Sequence, residues 1–236
     1  MVHIGKLLVN DVRNIVRDRL LLYTAFLIPL IIIIITRLVI PWLSENIIPL
    51  EQFYPVLFML MVITIPMMFG FTTGFLIMDE RDENLLTVLR VMPISRNAYL
   101  IYRMAFMSVL SFIYILLFPV LTGLIDVGII DYLPIGVLLA LFTPVMGLIA
   151  NVVANNKVQA FAVFKMLGGV FFLPLFAFFI NNDFKYILGI IPNFWTFMAL
   201  DKLLDTGTQD IVFLGIGFVL HIALLAFLFY LFNKKY

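Results

Sequence analysis

Long apolar runs occupy most of this chain, and they leave few folds open to it. Six runs lie at about 20–42, 53–78, 101–125, 132–153, 159–180 and 211–232. About 20 apolar residues in a helix cross the roughly 30 Å hydrocarbon core of a bilayer, whereas a transmembrane β-barrel would show alternating segments of about ten residues. The 236 residues are 64% hydrophobic, so little remains for a soluble domain. The sequence predicts an all-α integral membrane protein with six transmembrane helices.

Basic residues are distributed unevenly between the two sides of these six predicted spans. Because cytoplasmic loops retain Lys and Arg, this asymmetry predicts a multi-pass cell-membrane protein with both termini in the cytoplasm. The net charge is only +1, and no basic surface is large enough to follow a phosphate backbone, which argues against nucleic acid as a partner. One side carries Lys6, Arg13, Arg17, Arg19, Arg81, Arg90, Arg96, Arg103, Lys157, Lys165, Lys234 and Lys235, and the other carries Arg37, Lys185 and Lys202.

The first 19 residues have the pattern of an amphipathic helix. Apolar residues recur at spacings of three and four, and Lys6, Arg13 and Arg17 fall between them. Such a helix lies in the membrane interface with its basic residues toward anionic headgroups. It serves either as a simple anchor or as a lever beside the cytoplasmic loop.

The charged segment 79–96 separates the second predicted span from the third. Four acidic residues crowd the start of a short helical pattern, where the positive end of the helix dipole stabilises them, and Pro93 ends the pattern. Leu85, Leu89 and Met92 form one apolar stripe, a spacing used by helices that dock into the groove of a partner. The alternative is a solvated helix that only holds the loop in the cytoplasm.

The residues of this segment resemble the cytoplasmic loop of ABC-2 type transporter permeases. The resemblance rests on the run ERDENLLTVL at 80–89 followed by MPISR at 92–96. The motif YLIYR at 99–103 is similar to the subgroup of fluoroquinolone and multidrug export permeases. Many members have Gly-Thr where this chain has Asn84 and Leu85, so the chain departs from the family pattern within the loop.

The resemblance implies a single ABC-2 transmembrane domain over 1–236, with an interfacial helix at 1–19, a coupling loop at 79–96 and a re-entrant outer segment at 181–210. It also implies an exporter of a hydrophobic or amphipathic compound, with drugs as the most specific expectation. Two permease copies, identical or different, would each bind an ABC ATPase chain, and that chain would hold ATP and Mg²⁺. The implied coupling residues are Glu80, Arg81, Asp82, Glu83, Leu86, Leu89 and Pro93.

The chain has no nucleotide-binding motif of its own. A G-x-x-x-x-G-K-[ST] phosphate loop occurs nowhere in the sequence, so we expect a transport subunit and not an enzyme. With no cysteine and only two histidines, the sequence offers no metal site and no cofactor site. A hydrolase within the membrane would need paired acids with histidine, or a serine-based site, inside the spans, and only His221 is available there.

Five residues within the spans are candidates for the substrate path. Their small, helix-bending or ionisable side chains are typical either of a pathway or of ordinary helix packing and snorkelling to the interface. A structural, hydrogen-bonded histidine is the main alternative for the one at mid-membrane. The five are Pro66, Gly70, Thr73, Lys165 and His221.

The outer segment 181–210 is too interrupted for a span, because Pro192 divides it into two short apolar stretches. We expect re-entrant or interfacial helices there. A sensor or peptide-immunity subunit that binds a ligand at this segment, without transport, is the alternative function. Such a subunit would keep its activity when its partner no longer hydrolyses ATP.

Overall fold

The computed structural model describes residues 19–82 and 95–236, and its elements in these two ranges are all helices. The first helix, α1, covers 19–46 and contains two π-helical turns at Tyr23–Leu27 and Ile35–Val39. The 3-10 helix Leu173–Phe179 extends the fifth helix, and a second 3-10 helix, Asp183–Ile190, precedes the sixth. The remaining helices are the 3-10 helix Glu51–Phe53, α2 (Tyr54–Asp82), α3 (Arg96–Thr122), α4 (Ile129–Val153), α5 (Lys157–Phe172), α6 (Asn193–Thr206) and α7 (Ile211–Lys235).

In the described part of the chain, six segments are long and apolar enough to cross a membrane. They overlap all six spans that the sequence predicts, and the chain is a multi-pass membrane protein. The predicted interfacial helix at 1–19 and the middle of the coupling loop lie outside the described residues, apart from Arg19. The segments are Ile28–Asn46, Glu51–Asp82, Asn97–Thr122, Ile129–Val153, Lys157–Phe179 and Ile211–Lys235.

Helices α2 and α4 form the centre of the bundle, and glycines bring them close together. A Cβ atom on Gly70 would lie 2.7 Å from the carbonyl oxygen of Thr143, and one on Gly74 would lie 3.3 Å from that of Gly147. Asn151 strengthens the contact, because its Nδ2 donates to the carbonyl oxygen of Gly74 across the interface at 3.0 Å. Small residues let two helix backbones approach in this way when lipid supplies no hydrophobic force between them.

The other spans surround this pair and expose apolar faces. α3 and α7 pack mainly against α4, while α1 and α5 lie against α2. Large apolar side chains on the outside of α1, α3 and α7 are exposed in the isolated chain, for example Ile31, Val109 and Val219. Such surfaces suit contact with lipid or with another membrane helix.

The two ends of the bundle differ in chemistry. We call the end that carries Asp82, Ser95, Asn155 and Tyr236 the loop end, since it holds both borders of segment 83–94. At the opposite end, Pro192 separates helix Asp183–Ile190 from α6, which matches the two short stretches predicted there. Arg37 of α1 reaches the same far end and donates from Nη1 to the carbonyl oxygen of Thr122 at 3.2 Å.

Candidate functional site

The last turn of α2 directs three consecutive side chains toward three different helices. Successive residues of an α-helix point about 100° apart, so neighbours in sequence face different partners. Asp79 meets α5, Glu80 meets α3, and Arg81 meets the end of α7. This turn is the last described part of the chain before segment 83–94.

Glu80 and Arg103 form a buried ion pair between α2 and α3. Their exposed fractions are 6% and 7%, which removes both charges from solvent. The Nε atom of Arg103 donates to Oε1 of Glu80 at 2.7 Å, and its Nη2 atom contacts the same oxygen. The hydroxyl of Tyr99 donates to that oxygen as well, at 2.7 Å. The pair therefore joins the two helices that border the charged loop.

Arg81 connects α2 with the end of α7 and with the turn between α4 and α5. Its guanidinium carbon lies 5.4 Å from the ring centroid of Tyr236, and its Nη1 donates to the hydroxyl of that residue. Its Nη2 donates to the carbonyl oxygen of Asn155 at 2.6 Å. Asp79 completes the set by pairing with Lys157 at the start of α5. That pair is half exposed, and such pairs contribute little to stability.

Lys235 binds the end of α4, where backbone carbonyls lack helical partners. Its Nζ atom lies 2.9 Å from the carbonyl oxygen of Val152 and 3.0 Å from that of Ala154. A cation at this position also interacts favourably with the negative end of the helix dipole. We call the nine residues that join these helices the loop-end network: Asp79, Glu80, Arg81, Tyr99, Arg103, Asn155, Lys157, Lys235 and Tyr236.

Replacing Lys235 with methionine is expected to lower the free energy of unfolding by about 1 kcal/mol, because the end of α4 loses its capping cation. Thermal unfolding in detergent measures the change. Lys234→Met is the matched control, since Lys234 is exposed and its side chain makes no hydrogen bond or ion pair with residues 19–82 or 95–236. Equal melting temperatures for the two variants would show that the cap contributes nothing.

The coupling residues implied by the resemblance divide into three groups. Glu80 and Arg81 have side chains turned into the bundle, whereas the side chain of Asp82 is 56% exposed and its Oδ1 accepts from Nη2 of Arg81 at 3.2 Å. Their role in coupling stays a prediction. Glu83, Leu86, Leu89 and Pro93 lie outside the described residues.

Three of the candidate path residues lie in tight helix packing. Gly70 belongs to the close contact of α2 with α4, and Thr73 donates to the carbonyl oxygen of Phe69 at 2.7 Å within its own helix. Pro66 is buried inside α2, which continues without interruption from Tyr54 to Asp82. These contacts agree with the packing interpretation, and a pathway role for the three stays a prediction.

His221 is buried and hydrogen-bonded on both sides of its ring. Its Nδ1 atom donates to the carbonyl oxygen of Gly217 at 2.8 Å, and Nε2 lies 3.1 Å from Oδ1 of Asn193. With Nδ1 protonated, a neutral ring accepts at Nε2, so this hydrogen bond requires the amide of Asn193 to be turned with Nδ2, instead of Oδ1, toward the ring. The contact fastens α6 to α7 and agrees with the structural interpretation of this histidine.

Lys165 is the fifth candidate, and its surroundings differ from those of the other four. It lies in a groove between α1, α2 and α5 whose lining is almost entirely apolar. Its Nζ atom is 5.7 Å from the ring centroid of Phe161 one turn earlier. Lys165 is thus the only one of the five that combines a charge with an open cavity.

Comparisons with known proteins agree with the architecture. Residues 11–229 match the family model described as "Fluoroquinolones export permease protein Rv2686c-like". The chain belongs to this family. It is 30% identical over 235 residues to the fluoroquinolones export permease protein Rv2686c of Mycobacterium tuberculosis strain H37Rv, an alignment that covers 96% of this chain and 92% of the relative. The protein MT2760 of strain CDC 1551 matches with the same identity and coverage. No solved structure matches.

Membership of the Rv2686c-like permease family confirms the subgroup that the loop motifs indicated. Sequence reasoning nevertheless missed most of the loop-end network. Tyr99 was singled out only as part of the YLIYR motif, Arg103 only in that motif and as a basic residue of one side, and Lys157 and Lys235 only as basic residues of that side. The available signal was a charge just inside an apolar run, as Arg103 is in the run 101–125, because such a charge favours a partner within the bundle.

Proposed function

We propose that this permease is the membrane subunit of an ATP-driven exporter of fluoroquinolones or similar amphipathic drugs. Its family and the names of its relatives support the cargo class, and its six apolar helices support the membrane role. ATP and Mg²⁺ would be bound by a separate ABC ATPase chain, since this sequence has no phosphate loop. A second permease copy, identical or different, would complete the membrane part, with lipid around it.

The loop-end network is the observation that carries the coupling part of this proposal. Segment 83–94 is bordered by α2 and α3, which the buried Glu80–Arg103 pair joins. A displacement of the loop would therefore act on both helices together, and Asp79 and Arg81 would pass it to α5 and α7. Glu80 and Arg81 would transmit the motion rather than touch the ATPase. Asp82 would face the ATPase directly, and both termini would be cytoplasmic.

Alternating access follows if the ATPase binds this loop in two geometries. ATP binding and hydrolysis shift the spans between inward-open and outward-open states only when the two states differ in their interaction with the ATPase. The close packing of α2 on α4 would make that pair move as one body. Aromatic and apolar surfaces between the moving helices would carry the cargo.

Uptake of a fluoroquinolone into inverted membrane vesicles tests this proposal. Vesicles from cells that produce the chain together with its ABC ATPase should accumulate the drug with ATP and Mg²⁺. They should keep doing so when a protonophore is added, and should stop with a non-hydrolysable ATP analogue. Uptake that a proton gradient drives without ATP would overturn the ATP-driven mechanism. No uptake under any energy source, with a ligand response that survives loss of ATP hydrolysis, would favour the sensor function.

A further inference from the structure

A groove of about 370 Å³ opens between α1, α2 and α5. Its volume is in the range of small-molecule sites, which are mostly apolar with a few polar groups that fix the ligand. Thr24 from a π-helical turn of α1 lies on one wall, and π-helical turns are frequent near functional sites. Thr24 shares a hydrogen bond of 2.6 Å with Thr72 of α2, which holds that wall in place.

Aromatic and thioether side chains form the body of the groove. The ring of Phe71 meets those of Phe161 and Phe164 edge-on, with centroids 5.9 and 4.8 Å apart. Met67 and Met68 of α2 line the same cavity. Flexible, polarisable methionines beside aromatic edges accommodate a flat ring system of variable shape.

Among the described residues of this lining, Lys165 is the one that carries a charge. It is eight residues past the start of α5, about 12 Å along the helix, so its Cα lies well inside the apolar span. Within 19–82 and 95–236 no carboxylate pairs with its ammonium group. A cation at this depth is costly unless it reaches the interface or meets an anion. A bound anion would satisfy it without leaving the groove.

We propose that this groove binds amphipathic aromatic anions, with Lys165 holding the acidic group and Phe71, Phe161 and Phe164 contacting the ring system. The inference deepens the proposed function, because it specifies the charge and shape of the cargo, and it rests on that function. Charge complementarity selects the anion, and the aromatic walls select a planar body over a lipid acyl chain. Lys165 is thus a specificity-determining residue.

Two fluorescent probes that differ by one charged group test the site directly. 8-Anilinonaphthalene-1-sulfonate carries a sulfonate, whereas N-phenyl-1-naphthylamine has the same rings without it. Binding is measured with the purified full chain in phosphatidylcholine nanodiscs, after subtraction of empty nanodiscs. We expect Lys165→Gln to weaken binding of the sulfonate about tenfold and to leave the neutral probe unchanged, because one charge-assisted contact is lost.

Three comparisons make this result specific to the site. Lys165→Arg should restore binding of the sulfonate, which a merely structural role for the lysine would not require. Lys202→Gln removes an exposed charge at the far end and should change neither probe. Phe164→Ala should weaken both probes, since the walls contact the rings. Equal loss of both probes in Lys165→Gln, or no loss of either, would overturn the proposal.

Repeating the titration in nanodiscs that also contain phosphatidylglycerol separates two sources of anion. If the aromatic acid is the ligand, Lys165-dependent binding of the sulfonate persists. If the anionic lipid abolishes that binding, a headgroup occupies Lys165 and the cargo assignment is wrong. Drug uptake by vesicles distinguishes failure of this inference from failure of the proposed function. Normal uptake by Lys165→Gln contradicts this inference alone. Absent uptake by the unmodified chain contradicts the proposed function, and the probe titration then tests the groove by itself.

Discussion

Replacing Arg103 with leucine is expected to lower the free energy of unfolding by about 3–5 kcal/mol, because the buried carboxylate of Glu80 loses its charged partner. The same variant should lose ATP-driven drug uptake, since α2 and α3 would no longer move together. Thermal unfolding in detergent measures the first effect, and uptake into inverted vesicles measures the second.

Two further variants separate the ion pair from general damage at the loop end. The exchange Glu80→Arg with Arg103→Glu keeps one charge of each sign and should recover part of the lost stability. Lys157→Met removes a cation from the half-exposed pair with Asp79 and should cost at most about 1 kcal/mol. If Arg103→Leu proves no more harmful than Lys157→Met, the pair does not hold α2 and α3 together.

Gly70→Ala is the second change for which we expect a large effect, about 1–3 kcal/mol of lost stability. The added methyl group would lie 2.7 Å from the carbonyl oxygen of Thr143, and a backbone atom cannot move aside without separating α2 from α4. Chemical unfolding in mixed micelles measures the loss. Drug transport should fall together with the stability, because the added methyl group would separate α2 from α4.

Gly169→Ala is the matched control, because no atom of the described residues outside its own helix lies within 4 Å of the position that a Cβ would take. Alanine favours a helix over glycine by up to about 1 kcal/mol, so this variant should be neutral or slightly more stable. A destabilised Gly169→Ala protein together with a normal Gly70→Ala protein would contradict the close contact between α2 and α4.

The sequence predicted the spans well because each of them is a strong, local signal. An apolar run such as 211–232 has one physical solution in a bilayer, and the helix forms nearly where the run lies. The division of the outer segment at Pro192 was readable for a similar reason, since proline ends or starts a helix.

The partners of the charged residues could not be read in the same way. Glu80 was expected to face a soluble ATPase, because nothing in the linear order shows that Arg103 lies beside it. The bond of His221 with Asn193 spans 28 positions and depends on how α6 folds back against α7. Such contacts are fixed by tertiary packing, whereas hydropathy and motif spacing report only on the chain near each residue.

Crosslinking from Asp82 is the most direct test of coupling at the loop end. A photoreactive residue at this exposed position, and one at Lys202 on the far end as the control, would be activated in native membranes before purification and mass spectrometry. We expect the Asp82 variant, and not the Lys202 variant, to capture a phosphate-loop ATPase at one copy per permease. Capture of no ATPase from Asp82, or equal capture from Lys202, would contradict the role of the loop end as the ATPase contact.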